Sequence, residues 1–349
     1  MRSNGNRFYL MILTFVLALF AAVSAQADNS YISIQEMKDN VPSSWTESLK
    51  GGKKDSECTI DAPIVVPEVD RFPVLKVACQ GEIPGIEETG YYIENYTERE
   101  LMVKTIPDSE KEPIEGSDFQ EIYDNEAMDE ESLNQAEEKA RKILQGIWNL
   151  GGAELERTGV GVFCGTETTY REITVDFCPV YNGIPYLKCP YSIHGLKNVA
   201  ARPDCYAYVF WEEGTEYQGA YLFMPRLIGE EVADVPLLPF SEIEKIIRQR
   251  IQEGYIQSIC EIRLGYICGN DADHPGEAFY LTPAWVVCGV MNVNPNIPFY
   301  PQNYQPPSRY HMSHLMINAQ TGEIIDENSR SKETFDAHLL TWDDVKKKQ

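Results

Sequence analysis

Apolar residues recur at helical spacing in two stretches of the chain, residues 132–150 and 241–253. The apolar positions are Ala136, Ala140, Ile143, Leu144 and Ile147 in the first stretch, and Ile243, Ile246, Ile247 and Ile251 in the second. Each stretch opens with a serine, Ser132 or Ser241, that has Gln or Glu three residues later, which is the spacing of a capping box. Each also ends before a glycine, so the pattern predicts two amphipathic helices with one buried face each.

Alternation of apolar and polar residues follows each predicted helix and predicts strands. The residues that share one face are Ile173, Val175 and Phe177 in 171–178, and Ile262, Leu264, Tyr266 and Cys268 in 261–268. Residues 204–215 and 312–323 are each predicted to form a strand that runs into a glycine-containing turn. Residues 58–80 mix β-branched residues with proline and charge, which predicts short strands with prolines at edges or turns.

The two sets of elements share a common spacing. The landmarks are the cap serines Ser132 and Ser241, the turn glycines Gly214 and Gly322, and the strand tyrosines Tyr170 and Tyr280. Their offsets are 109 (241 − 132), 108 (322 − 214) and 110 (280 − 170) residues. This agreement predicts a duplicated unit of one helix followed by three or more antiparallel strands, with coincidence in an α+β chain as the alternative.

The second unit contains the segments Phe279–Trp285 (FYLTPAW) and Ile317–Ile325 (INAQTGEII) after its capped helix. With these segments it resembles PepSY-like domains, in which a helix packs on a curved antiparallel sheet. Relatives in that superfamily include the propeptides of secreted thermolysin-type metalloproteases and the extracytoplasmic regulators of a Gram-positive cell-wall sensor kinase. Their roles are inhibitory or regulatory, so the resemblance implies a fold and a compartment and carries over no catalytic residue.

The first unit resembles the same group through Val175–Tyr186 (VDFCPVYNGIPY). The whole arrangement, with Leu237–Ile243 between the units, also resembles a poorly characterised family of secreted proteins and lipoproteins in gut Firmicutes. The expected fold is α+β, with tandem PepSY-like units and an N-terminal β-rich segment. The expected domains are 1–27, a signal peptide; 28–129, an acidic β-rich segment; 130–236 and 237–330, the two units; and 331–349, a C-terminal tail.

The first 27 residues have the layout of a secretory signal. Arg2 and Arg7 precede the apolar run Phe8–Phe20, and small residues at Ala21–Ala27 offer a cleavage site. We therefore expect a secreted, extracytoplasmic protein that is not integral to the membrane after cleavage; an uncleaved anchor is the alternative.

The chain is strongly acidic, with 30 Lys and Arg against 54 Asp and Glu and a formal net charge of −24. This balance argues against nucleic acid and against an anionic membrane surface as partners, because both attract clusters of basic residues. Between Glu82 and Glu138 there are 19 acidic and three basic residues. We interpret this segment as solvated surface and linker, with a divalent-cation site as the alternative.

The motifs H-E-x-x-H, G-x-S-x-G, G-x-x-x-x-G-K-[ST] and C-x-x-C do not occur in the chain. His311 and His314 are the nearest approach to a metal pair, but positions i and i+3 of a strand point to opposite faces. We therefore expect no catalytic residue, no cofactor and no metal site. A hydrolase whose site no motif reveals stays open as an alternative.

Nine cysteines in an exported chain suggest disulfides, and the odd count leaves at least one over. The candidate pairs are Cys58 with Cys79, Cys178 with Cys189, and Cys260 with Cys288. The second and third pairs flank predicted turns, and the first brackets the N-terminal β segment. The alternative is that these cysteines are buried thiols that act as small hydrophobic residues.

Residues 292–310 are predicted to form a long loop that contains five prolines and four aromatic residues, Phe299, Tyr300, Tyr304 and Tyr310. Aromatic rings held by proline bind partners at low entropic cost, and long loops in compact domains are often functional. The expected function is non-enzymatic binding of an extracytoplasmic protein, as a regulator, inhibitor or sensor in the cell envelope. The alternatives are a module that binds envelope glycan or peptide through this loop, or rings that fold back onto the sheet.

Overall fold

The computed structural model describes residues 31–50, 57–78, 92–96, 101–105, 119–123, 128–147, 154–165, 171–187, 206–223, 226–270, 279–291, 313–325 and 339–348. The helices of this part are α1 (Ile34–Asn40), α2 (Glu130–Ile147), α3 (Phe240–Gln252) and α4 (Trp342–Lys348). The strands are β1 (Ser44–Lys50), β2 (Glu57–Val65), β3 (Val74–Ala78), β4 (Tyr92–Tyr96), β5 (Leu101–Lys104), β6 (Phe119–Tyr123), β7 (Glu154–Gly165), β8 (Arg171–Tyr181), β9 (Ile184–Pro185), β10 (Tyr206–Glu212), β11 (Gln218–Phe223), β12 (Arg226–Val232), β13 (Ile256–Asn270), β14 (Phe279–Met291), β15 (Ser313–Asn318) and β16 (Ile324–Ile325). The predicted α+β class is confirmed, and strands predominate. The predicted signal segment, residues 1–27, lies outside the described residues.

The first sheet is antiparallel throughout, in the order β4-β5-β11-β10-β8-β7-β6, with β9 added to β8. Helix α2 covers one face and forms a core with apolar residues of four of these strands, β7, β8, β10 and β11. The turn at Asn182-Gly183, where both residues have positive φ, joins β8 to β9 as a two-residue hairpin.

The second sheet has the order β1-β2-β13-β14-β15-β16. Strand β3 pairs with the first residues of β14, and β12 pairs with β3. All pairings are antiparallel except that of β2 with β13, which is parallel. Phe240 of α3 contacts Trp285 of β14, with ring centroids 5.1 Å apart. Strands β1, β2 and β3 belong to this sheet and β4, β5 and β6 to the first, so residues before 130 contribute to both sheets.

Each sheet includes a four-stranded antiparallel meander, and one helix precedes each meander in the chain. In the first sheet α2 precedes β7, β8, β10 and β11, and in the second α3 precedes β13, β14, β15 and β16. The strands lie in chain order in both meanders, and Gly214 and Gly322, at the turns before the last strands, both have positive φ. Residues Ile32–Gln349 form one compact unit.

Helix α2 begins before the predicted cap. Asp129 Oδ1 accepts a hydrogen bond of 2.8 Å from the backbone N–H of Ser132, so Asp129 takes the capping role predicted for Ser132. The side-chain and backbone hydrogen bonds from Ser132 lower the pKa of this carboxyl. Gln135 contacts Glu131 and does not complete a capping box. The predicted apolar face is confirmed, because all five of its residues are buried.

Helix α3 was predicted one residue too late. It begins at Phe240 after Pro239, and no side chain caps it, so the capping role predicted for Ser241 is wrong. Pro239 is the N-cap residue, and its backbone carbonyl accepts a hydrogen bond of 2.9 Å from the N–H of Glu242. Its buried residues are Phe240, Ile243, Ile247 and Ile251, whereas Ile246 is half-buried. Gly254, with φ of 84°, follows the helix as predicted.

The two sheets meet where the chain leaves β9. The backbone N–H of Leu187 donates to the carbonyl of Tyr266 on β13 at 2.8 Å, and Tyr186 and Tyr266 form a parallel bridge. Gly265 permits this approach, because a Cβ there would lie 2.5 Å from the Pro185 carbonyl oxygen. Leu187 then packs on the face of the second sheet opposite α3, with Ile267 and Ala284 among its neighbours.

An ion pair reinforces the same junction. Arg263 of β13 contacts Glu156 of β7 through Nη1 at 2.9 Å and Glu261 through Nε at 2.9 Å. Burial disfavours the charge of Arg263, but the two carboxylates outweigh that effect, and the net result is a raised pKa. The guanidinium therefore stays charged between the two sheets.

Tyr266 also holds the segment before β3. Its hydroxyl donates to the Pro73 carbonyl at 2.7 Å, its ring packs edge-on against Phe72 at 5.1 Å, and burial raises its pKa. Asp234 connects the same segment to the C-terminal helix. One of its oxygens accepts from the Phe72 N–H at 2.9 Å, and the other accepts from the Trp342 indole at 3.1 Å.

The substitution Gly265→Ala tests the junction between the sheets. The new methyl group would overlap the Pro185 carbonyl and the Leu187 side chain, so we expect the free energy of unfolding to fall by about 2 kcal/mol or more. The matched control is Gly229→Ala on β12, where an added Cβ meets nothing within 4 Å. Urea unfolding measures both, and equal stabilities of the two variants would contradict this account of the junction.

Candidate functional site

The four aromatic residues singled out in the 292–310 loop, Phe299, Tyr300, Tyr304 and Tyr310, lie outside the described residues. So does His311, while His314 lies on β15 opposite Cys288 of β14. In the part of the chain that the structure covers, no three His, Cys, Asp or Glu residues form a group that could hold a metal ion. None of the helices described there is long and apolar enough to cross a membrane.

The cysteines differ from the predicted disulfide framework. The five described cysteine side chains, Cys58, Cys178, Cys260, Cys268 and Cys288, are thiols. None of the three predicted pairs is therefore formed, although Cys79 and Cys189 themselves lie outside the described residues. Three of the five thiols are buried among apolar neighbours, which matches the alternative that they act as small hydrophobic residues.

A β-bulge explains why Cys260 and Cys288 do not face each other. The register shifts between Ile259 and Glu261, so Glu261, not Cys260, lies directly opposite Cys288. Cys260 is the extra residue, and its thiol donates to the carbonyl oxygen of Cys288 at 3.4 Å. The predicted pairing of Cys260 with Cys288 requires a ladder without a bulge. The one inserted residue shifts the register, so the two cysteines do not lie opposite each other.

The strongest candidate site is a cluster of aromatic rings on the first sheet, on the face that α2 does not cover. Tyr208 and Phe210 of β10 point to this face, and Val209 and Trp211 point to the core beneath α2. Tyr221 of β11 lies directly opposite Tyr208, and Tyr217 lies at the turn before β11. We call Tyr208, Phe210, Tyr217 and Tyr221 the aromatic face.

The rings of the aromatic face contact one another around a glycine. Gly219 lies opposite Phe210, and the Phe210 ring is 5.7 Å from Tyr217 and 5.8 Å from Tyr221, measured between centroids. Since Gly219 has no side chain, nothing on the residue opposite Phe210 competes with its ring for space. Tyr208 completes the cluster in an edge-on contact with Tyr221 at 5.8 Å.

Burial differs across the aromatic face. Phe210 and Tyr217 are buried, whereas Tyr208 and Tyr221 are half-buried. A sheet covered by a helix on one side usually presents polar residues on its other side, so an aromatic cluster there departs from the usual alternation. Aromatic side chains with two rotatable bonds lose little entropy when a partner covers them.

Carboxylates border the aromatic face on one side. On β8, Asp176 lies opposite Tyr208 and Glu172 lies opposite Glu212. On the other side, Lys104 of β5 pairs with Gly219 and is 4% exposed. The arrangement therefore joins half-buried tyrosines to a border that is negative on the β8 side, a combination that can receive a cation over a ring or a hydroxyl-rich ligand.

The sequence of β10 carries a signal for this site that an analysis of periodicity alone does not reveal. In Tyr206–Glu212 (YAYVFWE) apolar or aromatic residues occupy successive positions without alternation, which marks a strand with apolar residues on both faces. The sequence predicts the strand itself within residues 204–215. It does not predict that the second face of this strand carries a ring cluster.

Comparison with solved structures supports the fold. A crystal structure of an uncharacterized protein from Eubacterium rectale superposes with a TM-score of 0.51 and 15% sequence identity. The match covers 80% of this chain and 93% of that protein. At such low identity the likeness concerns the fold alone. Neither the protein-family models nor the curated proteins contain a match to this chain.

Alkylation tests the state of the cysteines. Burial raises the pKa of the Cys58 thiol to about 12, so at about pH 8 its reactive thiolate is scarce in the folded protein. We expect iodoacetamide to modify the half-buried Cys260 and Cys288 in the native protein without a reductant, and Cys58 only after unfolding. Peptide mass spectrometry measures each site. Labelling of Cys260 and Cys288 that requires prior reduction would show a disulfide instead.

Proposed function

We propose that this chain is an exported, non-enzymatic protein that binds a protein partner outside the membrane, as a regulator, inhibitor or sensor in the cell envelope. The observation that carries the proposal is the aromatic face, in which half-buried Tyr208 and Tyr221 contact buried Phe210, and Phe210 contacts buried Tyr217. Tyrosine anchors with a rigid base are what protein interfaces favour at their centre.

The border of the aromatic face indicates the chemistry of the partner. Asp176, Glu172 and Glu212 lie along one side, and the whole chain has a net charge of −24. Such a surface attracts a basic partner over long range and repels acidic ones. A lysine or arginine of the partner, placed over Tyr208 or Tyr221, would gain both a cation–π contact and a nearby carboxylate.

We further propose that the two helix-and-meander units are tandem PepSY-like domains. Two features support this: the four strands of each meander lie in the same order after a helix, and both closing turns use a glycine with positive φ. Domains of that superfamily act on other proteins and carry no catalytic residue of their own, which agrees with a binding role.

A second candidate function is binding of an envelope glycan or peptide. The same half-buried tyrosines favour it, because a sugar can stack its C–H face on an aromatic ring while carboxylates accept from its hydroxyls. In this case the aromatic residues of the 292–310 loop would add to the site, and the variants Tyr300→Ala and Tyr304→Ala would abolish binding. The protein-partner function does not require these two tyrosines.

Capture from an envelope extract tests the proposed function. Immobilised wild-type protein and the double variant Tyr208→Thr/Tyr221→Thr are compared, since threonine keeps the strand propensity while it removes the rings. We expect the double variant to retain less than about a tenth of the captured partner, because interface tyrosines dominate binding energy. Quantitative mass spectrometry measures the captured protein.

The control variant is Tyr255→Thr, which removes a half-buried tyrosine that lies after α3 and under Arg250, away from the aromatic face. It should capture as much partner as wild type. Soluble envelope glycan is added as a competitor in a parallel experiment. Capture that is unchanged in the double variant contradicts the aromatic face as the site, and capture abolished by glycan favours the second candidate.

A further inference from the structure

Strand β1 forms an edge of the second sheet. Its seven residues pair with β2 without a break, from Ser44 opposite Pro63 to Lys50 opposite Glu57. Among the described residues β1 has no other strand beside it. A regular edge of this length offers a row of backbone groups to which another strand can be added.

The register fixes which backbone groups point outward. The N–H of Ile64 donates to the carbonyl of Ser43 at 2.9 Å, so Ser43 and Ile64 form a hydrogen-bonded pair. Because such pairs alternate along an antiparallel ladder, Trp45, Glu47 and Leu49 bond to β2. The N–H and C=O groups of the residues between them point away from the sheet; these residues are Ser44, Thr46, Ser48 and Lys50, and all four side chains are exposed.

The other edges of this sheet are less suited to strand addition. Strand β12 has two register shifts within its seven residues, although its Leu227 and Ile228 are exposed. Bulges of this kind interrupt the row of backbone groups and protect an edge from pairing. Strand β16 has only two residues. Strand β1 has no bulge and no proline.

Contacts of Arg248 with Trp45 and Glu47 on the inner face hold β1 in place. Arg248 of α3 lies over the Trp45 ring at 4.8 Å and contacts Glu47 through Nη2 at 2.6 Å and Glu244 through Nε at 2.8 Å. The Trp45 indole also donates to Glu47 at 2.9 Å. The inward charge of Glu47 is thus neutralised, so it does not repel a neighbouring strand, and the edge is ordered before any partner arrives.

We propose that β1 accepts an extended, basic segment of a protein partner as an added strand. The outer face of the β1–β2 pair carries the exposed carboxylates of Glu57 and Asp61. These carboxylates lie on β2, one strand further in, with Glu57 opposite Lys50 and Asp61 opposite Thr46. Long lysine or arginine side chains of the added strand would extend across the small side chains of Thr46 and Ser48 toward them, while backbone hydrogen bonds to Thr46 and Ser48 hold the register. A second copy of the chain fits poorly, because each copy has a net charge of −24. This surface is separate from the aromatic face, so either can fail without the other.

The probe is a labelled peptide of about eight residues with alternating lysine and valine. Two control peptides accompany it: one with glutamate in place of lysine, and one with the lysine–valine sequence N-methylated at alternate residues along one edge. We expect the lysine–valine peptide to bind the full chain and both control peptides to bind about tenfold more weakly or worse. Fluorescence anisotropy measures the affinities.

The variant Thr46→Pro removes one outward N–H and leaves the β1–β2 ladder intact, because proline is tolerated where the N–H faces solvent. It should weaken peptide binding about tenfold, whereas the matched control Thr46→Val, which keeps the N–H, should not. Amide exchange of wild-type protein gives a readout that needs no variant. Bound peptide should slow exchange at Thr46 and Ser48, and leave Glu47, already bonded to β2, unchanged.

Equal affinity of the N-methylated peptide, or unchanged exchange at Thr46 and Ser48, would overturn the proposal by showing that charge alone attracts the probe. Equal affinity of the glutamate peptide would overturn the basic character of the partner. A wild-type dimer that Thr46→Pro dissociates in sedimentation would show that a second copy occupies the edge, and would overturn the proposal as well.

Discussion

The close approach of two backbones at Gly265 is the constraint on which the rest of this structure depends. There the chain leaving β9 of the first sheet runs beside β13 of the second, and the N–H of Leu187 bonds to Tyr266. Any side chain at position 265 would occupy the place of the Pro185 carbonyl. Because Tyr266 then holds Pro73 and packs on Phe72, this one contact fixes the first sheet, the second sheet and the segment before β3 together.

Strand β13 is central because both of its faces are used. On one face Leu264 and Tyr266 lie in the core, and on the other Ile267 packs with Leu187 while Arg263 reaches Glu156 of the first sheet. A strand that is buried on both faces has little room to move or to contact a partner. The surfaces open to partners are therefore expected elsewhere: the aromatic face on the first sheet, and the β1 edge on the second.

The sequence predicted the local elements well and the long-range pairings poorly. The helix faces and the turns at Gly214, Gly254 and Gly322 were predictable because periodicity and positive φ leave a mark in a few neighbouring residues. The cap of α2 was misplaced because Asp129 and Ser132 are both good cap residues within three positions of each other. The parallel pairing of β2 with β13 has no local signature, so the division of the N-terminal strands between two sheets was not predictable.

The candidate site shows the same difference between local features, which the sequence predicts, and long-range pairings, which it does not. The predicted loop residues lie outside the described part of the chain, and the predicted pairing of Cys260 with Cys288 failed because a single bulge at Cys260 changes which residues face each other. The aromatic face needs four residues from two strands and a turn, and Gly219 contributes by having no side chain. Such a cluster depends on register, which the sequence alone does not specify.

Native-state hydrogen exchange across increasing denaturant tests the central claim, that the contact at Gly265 makes the two sheets one cooperative unit. Peptides from β8–β9 report on the first sheet and peptides from β13 report on the second. The account predicts that the slowest amides of both sets open with the same free energy and the same dependence on denaturant. Two separate openings, with one sheet exchanging while the other stays protected, would contradict it.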